Sequence, residues 1–91
     1  MNKILYNDSH GGYRFSKEFE KFFNLPSWEI EELPRHDPKL IEAVEAFGLE
    51  AASDKSSSLA IATIEGNTYK IEEYDGLEWV ATPEHIDWIT I

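Results

Sequence analysis

Two short turn signals constrain this chain more than any other feature. Gly66-Asn67 and Asp75-Gly76 each have the composition of a two-residue hairpin loop, and each is flanked by runs in which apolar and polar residues alternate. Leu59 to Glu65 and Thr68 to Tyr74 surround the first turn, and Leu77 to Ala81 follows the second. Pairing Glu65 with Thr68 sets Ile64 opposite Tyr69 and Ala62 opposite Ile71 on one face. It sets Ile61 opposite Glu72 and Leu59 opposite Tyr74 on the other. The first face is the expected core, because Ala60 and Ala62 leave room for a helix to approach. The second turn places Val80 beside Ile71 and Glu73 opposite Glu78. A three-stranded antiparallel meander is therefore expected over residues 59–81.

The segment Asp37-Pro38-Lys39-Leu40-Ile41-Glu42-Ala43-Val44-Glu45-Ala46-Phe47-Gly48 has an N-cap Asp, a Pro at the first helical position and a Gly after the last. It predicts a helix from Pro38 to Phe47 whose apolar stripe is Leu40, Ile41, Val44 and Phe47, with Leu49 touching Val44 beyond the stop. A shorter helix is predicted after Ser16. There Glu18 and Glu20 suit the first turns, Phe15, Phe19, Phe22 and Phe23 share one side, and Leu25-Pro26 ends the run. Lys3 to Asn7 reads as an N-terminal strand. Trp28 and Ile30 alternate with Glu29 and Glu31 as in a short edge strand, and Thr82 to Trp88 starts like a helical turn. The order strand, helix, helix, strands implies an α+β class: a small antiparallel sheet, the three-stranded meander widened by an N-terminal strand, with two helices packed on one face. Residues 1–91 are expected to form a single domain, since a chain this short supports one core.

Charge narrows the function classes. The 91 residues carry 18 Asp plus Glu against 8 Lys plus Arg, a formal net charge of −10 with His neutral. Such a field repels phosphate backbones and anionic lipid, so neither direct nucleic-acid binding nor membrane binding is expected. The 3 Trp, 4 Tyr and 5 Phe supply enough apolar area to oppose disorder despite that charge. Cysteine is absent, which excludes disulfides, thiol nucleophiles and Cys-based zinc sites. Polar groups interrupt the N-terminal residues before a leader segment forms, and no apolar run approaches the ~20 residues of a membrane span. The cytoplasm is the expected location.

Two constellations carry candidate chemistry. Asp8-Ser9-His10-Gly11-Gly12-Tyr13-Arg14-Phe15-Ser16 runs from a strand end to a helix start. Free backbone N–H groups at such a place favour an anion, so His10, Gly11, Gly12, Arg14 and Ser16 form a candidate site for a small nucleotide-like ligand. Neither the P-loop nor the dinucleotide glycine fingerprint is present, and paired glycines more often serve a structural turn. Asp8, Ser9 and His10 hold the letters of a hydrolase triad, but consecutive side chains on extended backbone point apart and cannot form the relay. No catalytic set is assigned. His10, His36 and His85 lack metal-ligand spacing, and the ordered oxygen-ligand loop of a calcium site is missing, so no metal or other cofactor is expected.

The second constellation is acidic. After Lys70 the chain carries Glu72, Glu73, Asp75, Glu78, Glu84 and Asp87 with no Lys or Arg. A solvated face is the ordinary explanation. Docking on a basic protein groove is the functional one, with Glu72, Glu73, Asp75 and Glu78 supplying the field, Glu29, Glu31 and Glu32 adding to it, and Trp79, if exposed among the acids, supplying the anchor.

Gly11-Gly12 followed by Phe15-Ser16, then Arg35 with Asp37-Pro38-Lys39-Leu40, then Tyr74-Asp75-Gly76 and Glu78, resembles a set of small proteins encoded by bacteriophages and large DNA viruses. The pattern spans most of the chain with gaps, and no motif in it is diagnostic of a reaction. The resemblance implies a viral origin and, with it, an inhibitor that acts in the host cytoplasm by occupying a basic groove meant for a phosphate backbone. The expected partner is a host defence or nucleic-acid-processing protein. A homodimer formed through Leu59, Ile61 and Tyr74 is the assembly alternative.

Overall fold

A computed structural model of the chain describes residues 2–82 and 89–91. Its elements are β1 (Asn2–Asn7), α1 (Lys17–Phe23), α2 (Ser27–Glu31), α3 (Pro38–Phe47), α4 (Leu49–Ala52), β2 (Leu59–Ile64), β3 (Thr68–Tyr74), β4 (Leu77–Ala81) and β5 (Ile89–Thr90). The class is α+β, as the element order predicted. The helical turn expected over Thr82 to Trp88 falls on residues 83–88, outside those described, as do His85, Glu84 and Asp87.

Local signals set the two longer helices. The Asp37 carboxylate accepts the Leu40 N–H at 3.0 Å, Pro38 takes the first turn, and α3 runs to Phe47. Ser16 caps α1 by accepting the Phe19 N–H at 3.1 Å, and its hydroxyl donates to the Ala51 carbonyl at 2.7 Å, tying the start of α1 to α4. Gly48, at φ 101°, interrupts the helical path without ending it, and the chain restarts at once as the single turn α4, which the sequence had not signalled.

Residues 27–31 form a helical turn where alternation suggested a strand. Trp28 and Ile30 explain the difference. A strand would place both on one face, whereas a helical turn separates them by roughly 200°, and the structure buries Ile30 completely while leaving Trp28 62 % exposed.

The sheets depart from the expected meander. β2 pairs antiparallel with β1, setting Leu5 opposite Ile61 and Asn7 opposite Leu59. β3 pairs with β4 on one side and β5 on the other, in the strand order β4-β3-β5. The Asp75-Gly76 hairpin forms in the predicted register, with Ile71 opposite Val80 and Glu73 opposite Glu78. Gly66-Asn67 is instead a crossing between two sheets. The register expected for it would have put Glu72 on the face that Ile61 and Leu59 share. In the structure that face packs against helices, and an unpaired carboxylate there would be costly. β1 offers Leu5 in its place.

Two apolar clusters result among the described residues. Leu5, Leu59 and Ile61 pack with Phe15, Phe19 of α1, Ile30 of α2, and Leu40, Ile41 and Val44 of α3. Ile4 and Ile64 turn the opposite way and meet Tyr69, Ile71 and Val80, joining the two sheets. The helical stripe of α3 thus covers the Leu59 and Ile61 side rather than the Ala60 and Ala62 side.

Candidate functional site

The glycine turn is a piece of packing. A Cβ added at Gly11 would stand 1.5 Å from the Ser56 carbonyl oxygen, and one at Gly76 would stand 2.2 Å from the His10 carbonyl oxygen, so the 9–12 loop is seated against both the 53–58 loop and the β3–β4 turn. His10 Nδ1 lies 3.3 Å from the Asp75 carbonyl oxygen. The Ser16 hydroxyl is spent on the Phe19 N–H and the Ala51 carbonyl. Of the five residues of the proposed anion site, Gly12 and Arg14 border a common cleft. That cleft, of about 320 Å³, also receives Glu31, Glu73 and Glu78, and three carboxylates beside Arg14 and Arg35 do not suit an anion.

Behind this cleft lies a cluster that sequence reasoning did not find. Arg35, in the loop before α3, grips Glu78 of β4 with both terminal nitrogens, at 2.7 Å and 3.0 Å. Glu78 also accepts the Asn7 backbone N–H at 2.9 Å. The Arg35 carbonyl accepts the Leu5 N–H at 2.9 Å, and the guanidinium carbon sits 3.5 Å above the centre of the Tyr13 ring. These groups close the edge of β1 that faces away from β2. Burial works against the Arg35 cation, but its hydrogen bonds to Glu78 lead the effects that outweigh this, the charge of that carboxylate among them, and raise its pKa. Burial also raises the Tyr13 hydroxyl far above its ordinary value, with Arg35 pulling the other way. Glu78 is only 8 % exposed and is neutralised within the molecule, so it adds no charge to an outer acidic face. Nothing local in the sequence links Arg35 and Glu78, which stand 43 positions apart.

Glu72, Glu73 and Asp75 lie on the β3–β4 hairpin, while Glu29, Glu31 and Glu32 lie in and just after α2. Lys70, Glu72 and Tyr74 of β3 share a face with Leu77, Trp79 and Ala81 of β4, by strand alternation and the observed register. Tyr74 is 71 % exposed and Trp79 42 % exposed. Glu72 stands directly across from Trp79 and accepts its indole N–H at 2.9 Å, which pins the ring. Glu73 accepts the Gly76 N–H at 2.9 Å, and Asp75 occupies the left-handed turn position at φ 52°, exposed at the tip. Both donors are neutral, so these contacts orient the carboxylates without cancelling their charge. Leu59 is buried, Ile61 packs inside and Tyr74 belongs to the other sheet, so the three do not form one dimer face.

Comparison with protein families, with curated proteins and with solved structures finds no match for this chain. Among the described residues no helix is long and apolar enough to cross a membrane, and no group of three or more metal-ligating side chains converges.

Proposed function

We propose that this is a non-enzymatic binding protein whose β3–β4 hairpin docks on a basic surface of another protein, in the place a phosphate backbone would take. The partner is a host protein of the nucleic-acid-processing or defence kind, in keeping with the viral resemblance. Glu72, Glu73 and Asp75 supply the field and Trp79 and Tyr74 the specific contact. The observation that carries this reading is the exposure of two large aromatic rings on the hairpin face that holds Glu72, with Asp75 at the tip and Glu73 on the opposite face. A ring held ready by a hydrogen bond loses little freedom on binding, and aromatic side chains at the centre of an interface contribute most of its energy. Carboxylates around them act mainly on the rate and orientation of encounter.

Capture from a host lysate at low and high salt tests the reading. The captured protein should be basic, and its association rate should fall steeply as salt screens the field. Trp79→Ala should abolish capture, and a Glu72→Gln, Glu73→Gln, Asp75→Asn variant should slow it. A partner retained undiminished by both variants overturns the proposal.

A further inference from the structure

The two strands of the β1–β2 ladder are finished differently on their outer edges. Leu5 and Asn7 of β1 aim their N–H groups away from β2, at the Arg35 carbonyl and the Glu78 carboxylate. In an antiparallel ladder the residues opposite them must aim away as well. Those residues are Ile61 and Leu59, and Thr63 follows with the same orientation. The Leu59 N–H is covered, donating to Ser53 Oγ at 2.9 Å. Among the described residues, the outward N–H and C=O groups of Ile61 and Thr63 meet no protein partner.

Among the described residues that edge also lacks the usual protection. Leu-Ala-Ile-Ala-Thr-Ile contains no charge, no proline and no glycine, and it forms six consecutive rungs with β1. Natural edge strands are normally blunted by Lys, Pro or a bulge, because an open edge templates another strand. Unpaired main-chain groups spaced along an extended backbone select one kind of occupant, a second extended backbone.

We propose that the Ile61–Thr63 edge of β2 takes up an extended, basic segment of the partner protein as an added strand. The sign of the segment rests on the proposed function and on the formal net charge of −10. A second copy of this chain would bring the same charge against itself, whereas a strand bearing Lys or Arg is attracted. The partner is thereby bound through its main chain at β2, attracted by the net negative charge of the molecule as a whole.

The test uses a blocked peptide of about seven alternating Lys and Val residues, within the length of an ordinary strand. Amide exchange at Ile61 and Thr63 should slow about tenfold or more on adding it, with other edges unchanged. Thr63→Pro removes an N–H that bonds no group among the described residues, so it should leave the melting temperature nearly unchanged while weakening the peptide about tenfold or more. N-methylation of the peptide on its pairing edge makes the same deletion from the other side and does not depend on the variant folding.

Unchanged exchange at Ile61 and Thr63 overturns the proposal. An N-methylated peptide that binds as tightly as the parent also overturns it, while leaving the acidic-hairpin reading untouched. If a Glu-Val peptide protects the edge as well as the Lys-Val peptide, strand addition stands, but the cationic partner falls and the charge reading with it. Protection that grows with protein concentration in the absence of peptide makes a second copy the occupant and overturns the proposal.

Discussion

Arg35, Glu78 and Tyr13 show how much one buried constellation rests on single groups. Both members of the ion pair are largely buried, with side chains 19 % and 9 % exposed. Arg35→Met would leave the Glu78 carboxylate against the Asn7 N–H with no cation, and removal of one partner of such a pair costs about 3 kcal/mol or more. Urea denaturation should show that loss, and adding Glu78→Gln should recover part of it, because the amide oxygen still accepts from Asn7 without burying a charge. Tyr13 presents the opposite case. Its ring supports Arg35, but its hydroxyl is buried without a partner among the described residues. Tyr13→Phe keeps the ring and removes the orphaned group, so the urea midpoint should rise, by about 1 kcal/mol in stability.

The same residue makes an alkaline prediction. Burial raises the hydroxyls of both Tyr13 and Tyr69 above their ordinary 10.0. A group raised on folding contributes stability that is complete below its unfolded pKa and lost as pH climbs from there through its folded one. Thermal stability should therefore decline above about pH 10 as the unfolded chain releases protons that the folded chain retains. Tyr13→Phe should make that decline shallower, and a decline equally steep in the variant would show that Tyr13 is not its source.

At the scale of elements, two turns that look alike in sequence behave differently. Gly76 adopts φ 92° and presses on the His10 carbonyl, so Gly76→Ala meets both backbone strain and a clash, and should cost about 2 kcal/mol or more in a denaturation midpoint. Gly66 has open space where a Cβ would go, and Gly66→Ala should stay within about 0.5 kcal/mol. The contrast separates a hairpin turn locked against a neighbouring loop from a crossing between sheets. Composition alone does not distinguish them, because both dipeptides permit a tight turn and only the strands on either side decide whether one closes. The same limit applies at Trp28 and Ile30, where five residues fit either period until packing chooses which side chain to bury. α1 and α3 were legible because their caps are written beside them, in Ser16, Asp37 and Pro38.

For the whole molecule, charge and the open β2 edge act against each other. At neutral pH a net −10 opposes pairing of two copies through the β2 edge. Near the sequence pI of about 4.5 that repulsion disappears. Light scattering should then reveal association as the pH is lowered toward this value, and Thr63→Pro, which leaves the charge unchanged, should suppress it. Association that is as strong in Thr63→Pro would assign the contact to another surface. The acidic hairpin was legible as a run of carboxylates, but its composition as a face was not. Glu78 lies between Leu77 and Trp79 in sequence, and strand alternation turns it inward to Arg35 while its neighbours turn out.

What the amino-acid sequence determined by itself is what can be settled within about a dozen residues: the capped helices after Ser16 and Asp37, the Asp75-Gly76 hairpin with its register, and an excess of negative charge. Steric and hydrogen-bonding preferences of that range do not wait for the rest of the chain. Tertiary structure alone decided which strand pairs with β2, which face the helices cover and which carboxylate is buried. Each of those is a competition between segments far apart in sequence. Leu5 prevails over Glu72 as the neighbour of Ile61 because one can be buried without penalty, and Glu78 is tolerated inside because Arg35 arrives to neutralise it.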